Sequence, residues 1–192
     1  MTVAFVNFWA EKYPINYDVN HYDPFIADAQ CGDPAALRKL TEWKNVGGGM
    51  CPMRLSKRKE AAFQCFLKGL GSYLPTGSDN LKRDFAKRAP VYSIFWHHVL
   101  FGTPIFDVHT NRAFVFFTQG KHLKKRAAAI RAGAHWPLYA EYCKWFGALL
   151  SDLRPHESGI SQRHLDRAIF MWGQTNKGAL NKCATRMHCK GK

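Results

Sequence analysis

Acidic residues are scarce. The 192-residue chain holds 14 Asp and Glu against 28 Lys and Arg, a formal charge of +14. Such an imbalance favours an anionic partner, and nucleic acid is the usual one. The plain alternative is a basic soluble protein with no such partner. Apolar runs of about 18 residues are missing, so no membrane span is expected. The opening MTVAFVNFWAEKYPINYD lacks a basic start and a small-residue cleavage site, so no secretory signal is expected either. Six cysteines stand far apart, at 31, 51, 65, 143, 183 and 189, with no CxxC pair. That is not the spacing of a secreted disulfide framework, and it points to the cytoplasm. Cys65 and Cys143 fall in apolar helical patterns and are expected to be buried thiols. Cys183, His188 and Cys189 amount to half a zinc site with no second pair, so no metal is expected. Internal repeats and defensible strand patterns are also absent. What is abundant is apolar and aromatic material, 46% and 14% of the chain. That supports a packed core and argues against disorder.

Nearly every periodic segment reads as helix, which predicts an all-α fold. The first thirty residues, rich in Tyr, Asn, Asp and Pro, are expected to pack irregularly around a short helix near residues 3–12. Asp33 is an N-cap and Pro34 a first-turn residue for a helix reaching about Lys44. Gly47, Gly48 and Gly49 end it, and GGGM (47–50) is a candidate mobile loop. Ser56 opens KRKEAAFQCFLKGLGSYL, with Ala62, Phe63, Phe66, Leu67 and Leu70 at helical spacing. Residues 75–79 read as a turn and 80–88 as a short basic helix or loop. Pro90 begins VYSIFWHHVLFG, apolar nearly all round and so a central buried helix. Gly102 ends it and Pro104 forbids its continuation. Pro137 sits in the first turn of a helix on which Leu138, Tyr142, Trp145, Leu149 and Leu153 share a face. A last helix over 161–176 buries Leu165, Ile169 and Trp172. Residues 1–176 are expected to form one domain, and 177–192 a basic tail.

Residues 101–114 read FGTPIFDVHTNRAF. Ile105 and Phe106 precede an acid, and Ala113 and Phe114 follow. Burying a carboxylate without a partner costs several kcal/mol or neutralises it, so Asp107 needs a reason. One reason is structural: Asp is a favoured N-cap, worth about 1 kcal/mol at the head of a helix over 108–118. The other is chemical. A carboxylate at a helix N-terminus beside a cleft, kept ionised by backbone N–H groups, stabilises a developing cation or orients a water.

This arrangement resembles the helix-hairpin-helix DNA glycosylase superfamily, which includes endonuclease III and the adenine and 8-oxoguanine glycosylases. The residues that carry the resemblance are Gly102, Pro104, Asp107, His109 and Arg112, with weaker support from LTEWKN (40–45) and LDRAIFMWG (165–173). It covers roughly residues 35–175. It implies a compact helical fold with a cleft between two helical lobes, and a monomer acting on double-stranded DNA with an extruded base. It also implies that Asp107 is the catalytic acid, stabilising oxocarbenium character as an N-glycosidic bond breaks. Trp43, Tyr92, Trp96, His109 and Trp172 are candidates for the base pocket, since aromatics sandwich a flipped base. Trp43, Tyr92, Trp96 and Trp172 have core packing as their plain alternative.

The chain departs from the family in three places. A Leu-Pro-Gly-Val-Gly-like turn is replaced by KRDFAKRAPVYS. Val91 aligns with the lysine that attacks the sugar in bifunctional members, with Lys87 one turn early. That predicts hydrolysis to an abasic site without lyase activity. The last cysteines do not match the iron–sulfur spacing, so no cofactor is expected. DNA is expected across Lys57, Arg58 and Lys59, across Lys82, Arg83, Lys87 and Arg88, and across Lys121 to Arg126, including Lys124 and Lys125. Arg112 is expected either to pair with Asp107 or to hold a phosphate, with an ordinary surface arginine as its plain alternative. His97 and His98 point about 100° apart on one helix, so one is expected in the core and the other toward the pocket. Repair of a lesion and restriction of foreign DNA bearing modified bases are both compatible with these residues. Two other functions compete. One is a metal-dependent nuclease using His97 or His98, Asp107 and His109. The other is a DNA-binding protein that keeps the scaffold without the chemistry.

Overall fold

The computed structural model describes residues 1–45, 53–123, 128–157 and 159–176. Among the described residues there are ten α-helices and no strand. No helix among them is long and apolar enough to cross a membrane. The chain divides into two compact units. The first comprises Met1–Tyr13, Phe106–Ile130 and Lys144–Lys192, the second Pro14–Ile105 and Arg131–Cys143.

The second unit holds most of the helices: α2 (Ile15–His21), α3 (Asp23–Gln30), α4 (Pro34–Lys44), α5 (Lys57–Thr76), α6 (Ser78–Asp84) and α7 (Pro90–Phe101). In the first unit, α1 (Val3–Ala10) is the short helix expected near residues 3–12, while α2 and α3 are regular helices in a stretch expected to be irregular. Their Tyr and Asn content masked short helical turns whose aromatics pack. Asp33 caps α4 as read, accepting from Ala35 and Ala36 backbone N–H at 3.4 and 2.8 Å. The expected turn at 75–79 shrinks to Gly77, whose φ of 74° closes α5 before α6 starts. Only glycine adopts that conformation at no steric cost.

Trp96 of α7 sits at the centre of this unit's core. Its ring stacks on Phe66 at 4.4 Å and meets the Phe85 edge at 5.2 Å, and its Nε1 donates to Thr41 Oγ1 at 3.1 Å. Trp43 of α4 stacks on Tyr17 and Phe95 at 5.7 and 5.8 Å. Both indoles are core rings, at 1% and 6% exposure, and not walls of an open base pocket.

The first unit is built from α1, α8 (Val108–Gln119), α10 (Gln162–Thr175) and the later part of α9 (His135–Leu153). Helix α10 packs on both α1 and α8. The α8–α10 approach is very close: a Cβ on Gly173 would lie 2.0 Å from the His109 carbonyl oxygen. Asn7 of α1 donates to Glu157 at 3.1 Å and meets His164 Nε2 at 3.0 Å through its side-chain carbonyl. Tyr13 packs against Phe170 under the guanidiniums of Arg163 and Arg167. Trp172 is a core ring here too, against Phe116 and Phe117 at 4.6 and 4.9 Å. On α9 the buried face runs Tyr139, Tyr142, Phe146, Leu149, Leu150 and Leu153, one step round from the expected stripe. Leu138 and Trp145 are half-buried. The cysteines also differ from expectation: Cys65 is exposed and Cys143 half-buried.

Candidate functional site

Gly102 ends α7 in the left-handed region, at φ 61°. The chain then passes Pro104 to Asp107, which is extended at φ −148° and ψ −170°, and α8 begins. Asp107 is 7% exposed. Its Oδ1 accepts from His109 N at 2.8 Å and from Thr110 N at 3.2 Å. Thr110 Oγ1 accepts in return from Asp107 N at 2.7 Å. This reciprocal capping box satisfies donors that a helix start otherwise leaves open. Charge-assisted bonds to the first-turn N–H groups fix one orientation of the carboxylate.

The neighbours named in the sequence gather at the same turn. His109 is half-buried, its ring edge-on to Phe170 at 5.1 Å. Its Nδ1 lies 3.3 Å from Arg112 Nη1. Arg112 is not a surface arginine and does not reach out to a phosphate. It is 2% exposed, and it donates to the Gly173 carbonyl at 2.7 Å and the Leu123 carbonyl at 3.2 Å. Burial pushes the guanidinium below its usual pKa, and the Asp107 charge opposes that shift. Arg112 therefore ties α8 to α10 and to the chain after α8, while contributing positive potential to Asp107.

Both histidines of α7 are core groups, so neither fulfils the expectation that one turns toward a pocket. His97 Nδ1 bonds Thr103 Oγ1 at 3.0 Å, and the ring packs among Phe101, Trp136 and Tyr139. Burial, with a smaller push from Lys82, brings its pKa down to about 4. His98 Nε2 lies 2.6 Å from the Tyr22 hydroxyl, and its Nδ1 meets the Thr103 carbonyl. Tyr139 closes this cluster, its hydroxyl 2.7 Å from Thr103 Oγ1. Among the described residues no group of three His, Cys, Asp or Glu is placed to hold a metal ion.

A second feature lies wholly in the second unit. A cavity of about 510 Å³ opens at the first turns of α5 and α7, lined by Ser56, Arg58, Lys59, Arg88, Val91 and Tyr92 among others. Of the proposed base-pocket rings, Tyr92 is the one that lines it. Asn45, the residue after α4, organises one wall. Its Oδ1 accepts from Tyr92 Oη at 3.0 Å and from Lys59 Nζ. Its Nδ2 donates to the Met53 and Arg54 carbonyls at 3.0 and 2.9 Å. Asn45 belongs to the WKN segment noted in the sequence, but its partners stand 8–47 positions away and no local pattern reveals them. Ala89, just before α7, takes the left-handed conformation at φ 44°. That is a backbone shape glycine adopts more readily than alanine.

The remaining cations divide. Lys57, Arg83 and Lys87 are exposed. Lys82 pairs with Asp79 at 3.5 Å and Arg83 with Asp84 at 3.3 Å. Arg88 donates from Nε to the Asp84 carbonyl at 2.9 Å. Lys124 and Lys125 lie outside the described residues, as do Arg126, residues 47–50, Cys183, His188, Cys189 and the 177–192 tail. No protein-family model, curated protein or solved structure matches this chain.

Proposed function

We propose that this protein is a DNA N-glycosylase that extrudes a damaged or modified base and hydrolyses its glycosidic bond, leaving an abasic site. The observation that carries the reading is the Asp107 carboxylate, held in one orientation by two backbone N–H groups with Arg112 and His109 in the same turn of α8. As the base departs, the sugar turns positive. A carboxylate already oriented stabilises that charge without reorganising. The +14 charge supports a polyanionic partner. Val91, in the first turn of α7, offers no amine, which favours simple hydrolysis over lyase chemistry. The base pocket of this reading has lost three of its proposed walls, Trp43, Trp96 and Trp172, to the cores of the two units.

A second reading rests on one observation. The capping box accounts for Asp107 by structure alone, and the protein then binds DNA without excising a base. The discriminating experiment incubates the protein with genomic DNAs of different modification status and analyses released bases by mass spectrometry. Wild type releasing a base, and Asp107→Asn releasing none while binding DNA equally well, supports the enzyme. Equal binding with no release by either supports the binder.

A further inference from the structure

Three cations share the cavity at the heads of α5 and α7, and no acid accompanies them there. Arg58, Lys59 and Arg88 line it. Among the described residues none of the three forms an ion pair. Lys59 is held by the Asn45 side-chain carbonyl and sits over the Tyr92 ring. Arg88 is held by the Asp84 backbone carbonyl and lies over Phe85. The adjacent acid in sequence, Glu60, is engaged by Arg38 through two bonds of 2.9 and 2.6 Å. That pairing holds its pKa down at about 2, with its charge committed to Arg38.

Gathering like charges without an acid is unfavourable, and a bound anion reverses the sign of that interaction. Two of the three cations are positioned by neutral acceptors, so binding costs them little side-chain freedom. The rest of the lining is largely apolar and includes Ala62, Pro90, Val91 and the Tyr92 ring. The volume of about 510 Å³ lies within the range of small-ligand pockets.

We infer that this cavity binds a phosphorylated nucleoside, the phosphate at Arg58, Lys59 and Arg88 and the flat ring beside Val91 and Tyr92. A running nucleic-acid backbone is met by an open row of cations. A concavity that combines three cations with apolar and aromatic groups suits a single nucleotide. Two sources share this chemistry, a free 5′-mononucleotide and the 5′-phosphorylated end of a strand. The inference goes beyond the Asp107 reading and does not depend on it.

The test is calorimetric titration of the full chain at near-physiological ionic strength. The probes are the deoxynucleoside 5′-monophosphates, the matching nucleosides, inorganic phosphate, and a short single strand with and without a 5′-phosphate. At least one monophosphate should bind roughly tenfold tighter than its nucleoside and than inorganic phosphate. The double variant Arg58→Ala/Arg88→Ala, and separately Lys59→Gln, should each weaken that binding roughly tenfold while far-UV circular dichroism stays unchanged. Ala62→Phe, which fills the cavity, should weaken nucleotide and phosphorylated strand alike. A phosphorylated strand that outbinds the mononucleotide, and loses its advantage without the 5′-phosphate, identifies a strand end as the source. Equal binding of the two identifies the free nucleotide. The inference is overturned if nucleoside and nucleotide bind equally or if no phosphorylated probe binds. Mononucleotide affinities unmoved in the folded variants overturn it as well.

Discussion

Asp107 carries two burdens that substitution can separate. Asn caps a helix nearly as well as Asp, whereas Ala does not. Asp107→Asn should therefore keep wild-type stability, and Asp107→Ala should lose about 1 kcal/mol in urea unfolding. Both should lose base release, because neither supplies a negative charge. Ala89 offers an independent check on the backbone before α7. At φ 44° it carries a left-handed penalty of roughly 1 kcal/mol that glycine avoids. Glycine also raises the entropy of the unfolded chain. Ala89→Gly should be neutral or stabilising by up to about 1 kcal/mol, where an ordinary Ala→Gly change destabilises. His97 sets an acid limit. Its folded pKa of about 4 stands below the ordinary value of 6.5. The unfolded state therefore takes up the proton first as pH falls. Stability present above about pH 6.5 should drain away between there and about pH 4, by at most about 3 kcal/mol. His135, also pushed down by burial, acts in the same direction. Urea midpoints at several pH values measure this slope, and His97→Leu should flatten it.

At the scale of elements, the α8–α10 contact positions Asp107. Gly173 lets the α10 backbone touch the His109 carbonyl, and Arg112 bonds the Gly173 carbonyl from α8. Gly173→Ala forces these helices apart and should cost roughly 1–3 kcal/mol. It should also reduce base release beyond what stability explains, because it shifts the turn that holds the carboxylate. Thermal melts and release assays on the same preparation check both parts. Much of this scale was legible in the sequence. The Asp33 cap, the all-round apolar α7, its Gly102 stop and the Asp107 cap follow from local chemistry. The burial of Arg112 was not legible. Its acceptors lie 11 and 61 residues away, so a basic residue on an amphipathic helix reads as surface. The α2–α3 stretch was misread because its aromatics sit in helical turns too short to show a period. Rings at Trp43, Trp96 and Trp172 offered no way to tell core from pocket, since the same residue type serves both.

For the whole molecule, the all-α class came from periodicity, and the ten helices among the described residues agree with it. Asp107, His109 and Arg112 do meet at one helical turn. The cluster of Asn45, Lys59, Tyr92 and Arg88 depends on how α4, α5 and α7 are arranged, which no local spacing encodes. The account as a whole stands on the carboxylate at the head of α8 acting on a sugar. The most direct measurement compares wild type with Asp107→Asn on a panel of genomic DNAs, by mass spectrometry of free bases and alkaline cleavage of the DNA. The account predicts a released base and matching alkali-labile abasic sites from wild type, and neither from Asp107→Asn at equal DNA affinity. Release of the base at the wild-type rate by Asp107→Asn would contradict it.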